Sequence, residues 1–179
     1  RMKPQKRFLE IVLAVLLLNL AIPVLLVLMG ILAVIEGRPL FYVSERMQTP
    51  TKGFALIKLR TMRVGASDGG VTGGNKSNAI PTIYRALRKS RLDELPQLWS
   101  ILKGDMSFVG PRPALFNQND LIILRSEYGV DKLTPGLTGW AQVNGRDELP
   151  ISKKVALDVE YLKCQSLRFD IKILWLTFL

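Results

Sequence analysis

From Ile11 to Ile35 the chain runs for 25 residues without a charged side chain, and no comparable stretch follows. As one straight helix this segment would be roughly 37 Å long, more than the ~30 Å hydrocarbon core of a bilayer. On hydropathy alone it reads as a transmembrane anchor or an uncleaved signal. A cleaved signal peptide fits poorly, because the run is too long and no small-residue cleavage site follows it. Pro23 lies near the middle, where it removes the bond to the carbonyl of Asn19 and crowds that carbonyl. The Asn19 amide can help satisfy groups freed by a bend. Asn19 and Pro23 therefore mark the expected break of a re-entrant hairpin, each half ~12 residues or ~18 Å deep.

Beyond the apolar run the pattern changes to short alternating and helical segments. "PLFYVSERMQTPTKGFALIKLRTM" (Pro39–Met62) predicts two strands joined by a turn over Thr49–Gly53. Alternation puts Phe54, Leu56, Lys58 and Arg60 on one side of the second strand. Two cations there either form a solvated edge that discourages aggregation or serve a site. Gly65–Asn78 is Gly-rich without the spacing of a nucleotide fingerprint, and reads as a flap or a linker. Helices are expected over Ile80–Ser90, Asp93–Lys103, Ala114–Tyr128 and Pro150–Lys163, with Gly104 ending the second. Thr134–Arg146 is irregular. In the tail, Phe169, Ile173, Leu174, Trp175 and Phe178 suit either a helix on a membrane surface or a buried terminal helix.

Charge changes the picture of the apolar run. The chain holds 25 Lys and Arg against 15 Asp and Glu, a formal charge of +10, which calls for an anionic partner. Arg1, Lys3, Lys6 and Arg7 precede the run, and Arg38, Arg46, Lys52, Lys58 and Arg60 follow it. The positive-inside tendency wants both flanks in the cytoplasm, which a helix broken at Pro23 provides and a straight span does not. Arg1, ahead of Met2, reads as a residue added for expression. With no His and one Cys, Cys164, acid–base or covalent chemistry falls mainly to carboxylates.

One carboxylate pair stands out. Asp93 and Glu94 are adjacent, behind Arg85, Arg88, Lys89 and Arg91 and ahead of Pro96. Asp93 suits a helix N-cap, and both acids would then meet the positive end of the helix dipole. A cap with a first-turn acid accounts for them without any chemistry. Glycoside hydrolysis does not, since adjacent side chains cannot face each other across a sugar bond. Phosphoryl chemistry does: one carboxylate attacks phosphorus or holds Mg²⁺, while a helix N-terminus and several Arg neutralise the transferring group. Among these cations Asp93 is expected to titrate below the ordinary carboxylate range. Arg112, between two prolines, is either part of that set or paired with a surface acid.

"KLRTM" (Lys58–Met62), "RLDELPQLWSILKGDMSFVGPRP" (Arg91–Pro113) and "PGLTGWAQVNGR" (Pro135–Arg146) resemble the signature blocks of the bacterial monotopic phosphoglycosyl transferases. This family is also called the bacterial sugar transferases or undecaprenyl-phosphate sugar phosphotransferases. The resemblance covers nearly the whole chain and is to the short form, without extra spanning helices. It implies transfer of a sugar phosphate from a UDP-sugar to polyprenol phosphate at the cytoplasmic face of the bacterial inner membrane. The products are UMP and a polyprenyl-diphosphate sugar, the first membrane step of glycoconjugate assembly. By the same resemblance Asp93 is the nucleophile and the Mg²⁺ ligand, and Glu94 assists. Arg88 matches a phosphate or lipid-headgroup contact and Arg146 a nucleotide contact, with Lys58, Arg60, Arg112 and Gln142 as further substrate-binding candidates. Two positions depart from the family pattern: Ile22 stands where Ser often precedes the hairpin proline, and Glu10 where Asp is usual.

The fold expected is α+β and mainly helical, with an N-terminal re-entrant membrane helix hairpin, a small β-hairpin and amphipathic interfacial helices. Residues 1–36 form the membrane-embedded part and 37–179 a cytoplasmic-face catalytic domain on the membrane surface, together one structural unit. Expected partners are a UDP-sugar, polyprenol phosphate and membrane phospholipid. A membrane-anchored basic binding protein would explain the charge but leaves Asp93 and Glu94 without a task, and no nucleic-acid motif is present. A membrane hydrolase of diphosphates would use the same acids with water as acceptor. The blocks recognise parts common to all UDP-sugars, so the sugar, the glycan pathway and the oligomeric state stay open.

Overall fold

The computed structural model describes residues 4–61, 82–145 and 149–178. The N-terminal segment is α1 (Pro4–Glu36), one helical run of 33 residues with Pro23 inside it. The two-helix hairpin expected at Asn19 and Pro23 does not appear as two elements. The Asn19 amide donates to the Val15 carbonyl at 2.8 Å, one turn back, so it stays within its own helix. Every third or fourth residue of α1 faces the rest of the protein. Glu10, Ala14, Ala21 and Leu32 are buried, and Leu18, Leu25, Leu28 and Met29 pack between them. The outer face is equally apolar and exposed, from Phe8 through Leu16, Leu20 and Leu26 to Val34. A helix apolar all round yet packed on only one side belongs in or against lipid.

β1 (Phe41–Thr49) and β2 (Lys52–Leu59) form the expected hairpin, paired from Phe41↔Leu59 to Thr49↔Lys52. After α2 (Thr82–Lys89), a 3₁₀ turn over Leu92–Glu94 leads into α3 (Gln97–Lys103). The single helix expected over Asp93–Lys103 is thus divided, and Pro96 divides it. Proline has no N–H for the carbonyl of Leu92, which instead accepts from Leu95 at 3.4 Å. Gly104 ends α3 as expected, with φ of 93° and its N–H shared between the carbonyls of Ser100 and Ile101.

β3 (Ser107–Val109) pairs in parallel with β5 (Gly136–Thr138), while β4 (Ala114–Leu115) pairs antiparallel with β1. The helix expected from Ala114 begins only at α4 (Asn119–Glu127). Pro111 and Pro113 favour extended backbone just ahead, and Ala114 and Leu115 extend the sheet at its β1 edge opposite Met47 and Arg46. α5 (Trp140–Val143), α6 (Ile151–Cys164) and α7 (Leu167–Phe178) complete the chain. In the tail, α7 buries Asp170 and Ile173 against the core and exposes Leu167, Ile171, Trp175 and Phe178. The main core joins α1, β2, α3, β3, α6 and α7 through Phe54, Leu98, Ile101, Met106, Phe108, Tyr161 and Ile173. The architecture is the mainly helical α+β fold with a small sheet that the sequence pattern implies.

Candidate active site

The acids stand where the chain turns between α2 and α3. Arg91, with φ of 57°, takes the left-handed conformation that side chains rarely adopt, and this reverses the backbone just before Asp93. Asp93 does not cap a helix; it lies within the 3₁₀ turn, and α3 starts after Pro96. The two carboxylates have different surroundings. Asp93 is only 6% exposed. Glu94 lines a shallow cleft together with Arg46, Lys58, Gln97 and Arg112.

Asp93 is not held below the ordinary carboxylate range. Its pKa is pushed up to about 6, mainly by burial and then by the neighbouring Glu94 charge, while Lys58, Arg88 and its own backbone N–H pull the other way. Withdrawal from water outweighs the cations here, because the residue is nearly enclosed and the strongest charge acting on it is another acid's. Lys58 answers to the same forces with the opposite sign. Burial lowers its pKa, the Arg112 and Arg46 charges lower it further, and Glu94 and Asp93 oppose them. Lys58 therefore belongs to a crowded cationic group facing the acids and is not part of a solvated edge.

The other expected residues divide into those that join this group and those that do not. Arg88 is exposed, acts on Asp93 electrostatically, and donates from Nε to the Thr61 hydroxyl at 2.9 Å. Arg60 is buried at the far end of α1, with Nη2 3.5 Å from the Gly37 carbonyl. β2 ends at Leu59, so the alternation that grouped Arg60 with Lys58 no longer applies one residue later. Arg112 joins the cleft and also borders a second one, which Pro113 lines as well. Gln142 is buried behind the wall, donating from Nε2 to the carbonyl of Leu137 at 3.3 Å, and Leu137 itself lines the cleft. Its Oε1 has no hydrogen-bond partner among the described residues. Arg146 and the Gly65–Asn78 segment lie outside the described residues.

Arg46 and Gln97 are cleft residues that sequence reasoning missed. Gln97 could have been found, since it follows Glu94 by three positions and so shares its side of the turn. Arg46 had no such signal, because its role depends on β4 pairing opposite it. The close crossing of β3 and β5 also shapes the site. A Cβ on Gly136 would overlap the backbone of Gly110, so only glycine lets these strands meet just before Pro111.

Among the described residues no group of three or more His, Cys, Asp or Glu side chains is gathered to hold a metal. A site of Asp93 and Glu94 completed by substrate oxygens still suits Mg²⁺, which commonly takes one or two carboxylates plus phosphates. Burial raises Asp93 most, and the smaller share that comes from the Glu94 charge is the kind a bound dication relieves.

The family model described as "Bacterial sugar transferase" matches residues 1–179. The chain is 37% identical over 180 residues to the "Uncharacterized sugar transferase EpsL" of Bacillus subtilis (strain 168), spanning 96% of this chain and 84% of that one. It is 36% identical over 180 residues to the "UDP-glucose:undecaprenyl-phosphate glucose-1-phosphate transferase" of Escherichia coli (strain K12), spanning 96% of this chain but 39% of that protein. Similarity to the "Exopolysaccharide production protein ExoY" of Sinorhizobium fredii is 32% over 189 residues, spanning 96% of this chain and 83% of that one.

Proposed function

Since the chain belongs to the bacterial sugar transferase family, we propose that it transfers a sugar phosphate from a UDP-sugar to polyprenol (undecaprenyl) phosphate. UMP and a polyprenyl-diphosphate sugar are the products. The observation that carries this reading is the convergence of Arg46, Lys58 and Arg112 on Glu94 in one cleft beside Asp93. A lysine whose pKa is lowered by burial and then by two neighbouring arginines gains most from a ligand that brings several negative charges, as a diphosphate does. The relative named as a UDP-glucose:undecaprenyl-phosphate glucose-1-phosphate transferase supports the substrate class.

Asp93 is the nucleophile in this scheme. Its carboxylate oxygen bonds to the sugar-linked phosphorus as the bond to the bridging oxygen breaks, and that electron pair leaves with UMP. A phosphate oxygen of polyprenol phosphate then attacks the same phosphorus and displaces Asp93, restoring the carboxylate. A group titrating near 6 is mostly ionised at neutral pH, yet more basic than an ordinary aspartate. Lys58, Arg112 and Arg88 offset the charge that otherwise repels this attack. Glu94 assists from the cleft wall. Mg²⁺, with Asp93 as its ligand, supplies further charge neutralisation when bound.

The packing of the two ends of α1 supports a re-entrant membrane arrangement. Lys6, Arg7 and Glu10 bond to β3, α3, α6 and α7. At the other end Leu28, Met29 and Leu32 pack on Leu59, Tyr84 and Leu87. A helix of this length that crossed a bilayer straight would carry one end ~30 Å away from a domain docked to the other. Both ends against one domain favour a re-entrant helix, with 37–179 on the cytoplasmic face and the outer apolar side of α7 at the lipid surface. A panel of UDP-sugars with polyprenol phosphate, scored by UMP release, tests the activity. Failure of every sugar to release UMP would count against it.

A further inference from the structure

We propose that Arg125, held by Asp158, is a positioning residue that sets Arg112 in the cleft. The proposal rests on the transfer reading, in which Arg112 meets the donor diphosphate. Arg125 lies in the last turn of α4 and Asp158 in the middle of α6, and they are 7% and 2% exposed. Arg125 donates from Nε at 2.9 Å and from Nη2 at 2.7 Å to the same carboxylate oxygen of Asp158. Its remaining nitrogen, Nη1, donates to the main-chain carbonyl of Arg112 at 2.8 Å. The planar guanidinium thus joins a buried anion on one edge to the backbone of a cleft cation on the other.

A buried ion pair is a weak device for stability alone, since apolar residues of similar volume often serve as well or better. What it does here is visible in the Pro111–Arg112–Pro113 segment. The two prolines have no N–H to give, so three carbonyls and one N–H are all the main-chain hydrogen-bonding groups this segment offers. Each of the three carbonyls is taken by a different element. Pro111 accepts from the Gly136 N–H at 2.9 Å, Arg112 from Arg125 at 2.8 Å, and Pro113 from Arg46 Nη1 at 3.4 Å. Arg46 is itself a cleft residue, exposed to whatever charge enters. Arg125 is backed by the buried Asp158 carboxylate, so its grip does not depend on what the cleft contains. A displacement of ~1 Å in such a support is enough to impair a charge-assisted contact.

The test uses the full chain in lipid nanodiscs with polyprenol phosphate and the UDP-sugar that wild type turns over. R125M/D158L replaces the ion pair by apolar side chains and removes the donor to Arg112. The expected result is a thermal midpoint close to wild type with kcat/KM lowered about tenfold or more. In an R112A background the same pair of substitutions should cause no further loss beyond about twofold. If R125M/D158L does not fold, R125K makes the same comparison, because one ammonium cannot reproduce the fork. Wild-type kcat/KM in these variants, or a loss that multiplies with that of R112A, would overturn the proposal. Absence of turnover by wild type on any UDP-sugar would instead remove the transfer reading, and this proposal with it.

Discussion

The Lys6 ammonium lies 2.9 Å from Oδ2 of Asp170, tying the first turns of α1 to α7. Tyr161 donates to the other carboxylate oxygen at 2.6 Å, and Lys6 also reaches the Tyr161 hydroxyl at 3.1 Å. Arg7, beside it, donates to the carbonyls of Ile101 and Leu102 and so caps the C-terminal end of α3. Removing one partner of such an enclosed pair leaves the other charge buried and costs about 3–5 kcal/mol. Asp170→Ala should therefore lower the thermal midpoint sharply, with Asp170→Asn, which retains polar contacts, falling between. An unchanged midpoint in Asp170→Ala would mean the N-terminus is not docked.

Docking at both ends of α1 has a consequence for topology. With Cys164 replaced and Gln5→Cys introduced at an exposed position, an impermeant maleimide should fail to label intact cells and should label after lysis. Ready labelling from outside would contradict the re-entrant arrangement. Pro23→Leu restores a helix donor in the middle of the apolar run and should move some N-termini across.

Asp93 should weaken the fold at neutral pH. An acid whose folded pKa is about 6 costs nothing below pH ~4, where both folded and unfolded states are protonated. As pH rises from ~4 to 6 the unfolded chain gives up its proton first, and above that the full cost applies, up to about 3 kcal/mol. Asp93→Asn carries no such charge. In chelator it should be more stable than wild type at pH 8, and the difference should close toward pH 4. Wild type more stable than Asp93→Asn at pH 8 would show that the carboxylate is not desolvated.

The cleft cations should matter to turnover more than to folding. In the proposed transfer Lys58→Ala and Arg112→Ala would each remove a charge-assisted contact to the diphosphate, worth roughly 1.5–3 kcal/mol or about 10- to 150-fold in kcat/KM. Lys58→Ala should not destabilise the ligand-free protein by much, because it also removes repulsion from Arg112 and Arg46. Arg60→Ala is the contrast: its side chain is buried at the end of α1, so heat stability should fall more than kcat/KM. Equal kinetic losses at Arg60 and Lys58 would mean the cleft is wrongly drawn. Arg146→Ala, tested in parallel, should behave like Arg112→Ala.

Much of this was legible from the chain. The apolar run, the β-hairpin, the stop at Gly104 and the helix after Pro150 all follow from local pattern. Asp93, Glu94, Lys58 and Arg112 came together through motif resemblance, and the cleft brings Glu94, Lys58 and Arg112 together with Asp93 beside them. What local pattern could not supply was environment. The raised pKa of Asp93 depends on how completely the surrounding elements enclose it, and cations near in sequence argued for the opposite sign. The pairs Lys6–Tyr161 and Arg125–Asp158 are 155 and 33 residues apart, and nothing in either neighbourhood announces a partner. The division of the helix at Pro96 was readable in principle, since the missing N–H falls on the carbonyl of Leu92.

The proposed transfer requires that Asp93 become bonded to the phosphosugar. Enzyme mixed with Mg²⁺ and the correct UDP-sugar, without acceptor, should release a burst of UMP approaching one per active site. Intact-mass analysis of the quenched protein should then find a phosphosugar adduct that maps to Asp93 and disappears on adding polyprenol phosphate. The burst rate should fall as pH drops below about 6, where Asp93 takes up a proton. Asp93→Asn should give neither burst nor adduct, while Glu94→Gln should retain a slow first step. UMP release that strictly requires acceptor, with no adduct at Asp93 in rapid-quench samples, would contradict the account. An adduct on Glu94, the acid that lines the cleft, would contradict it equally.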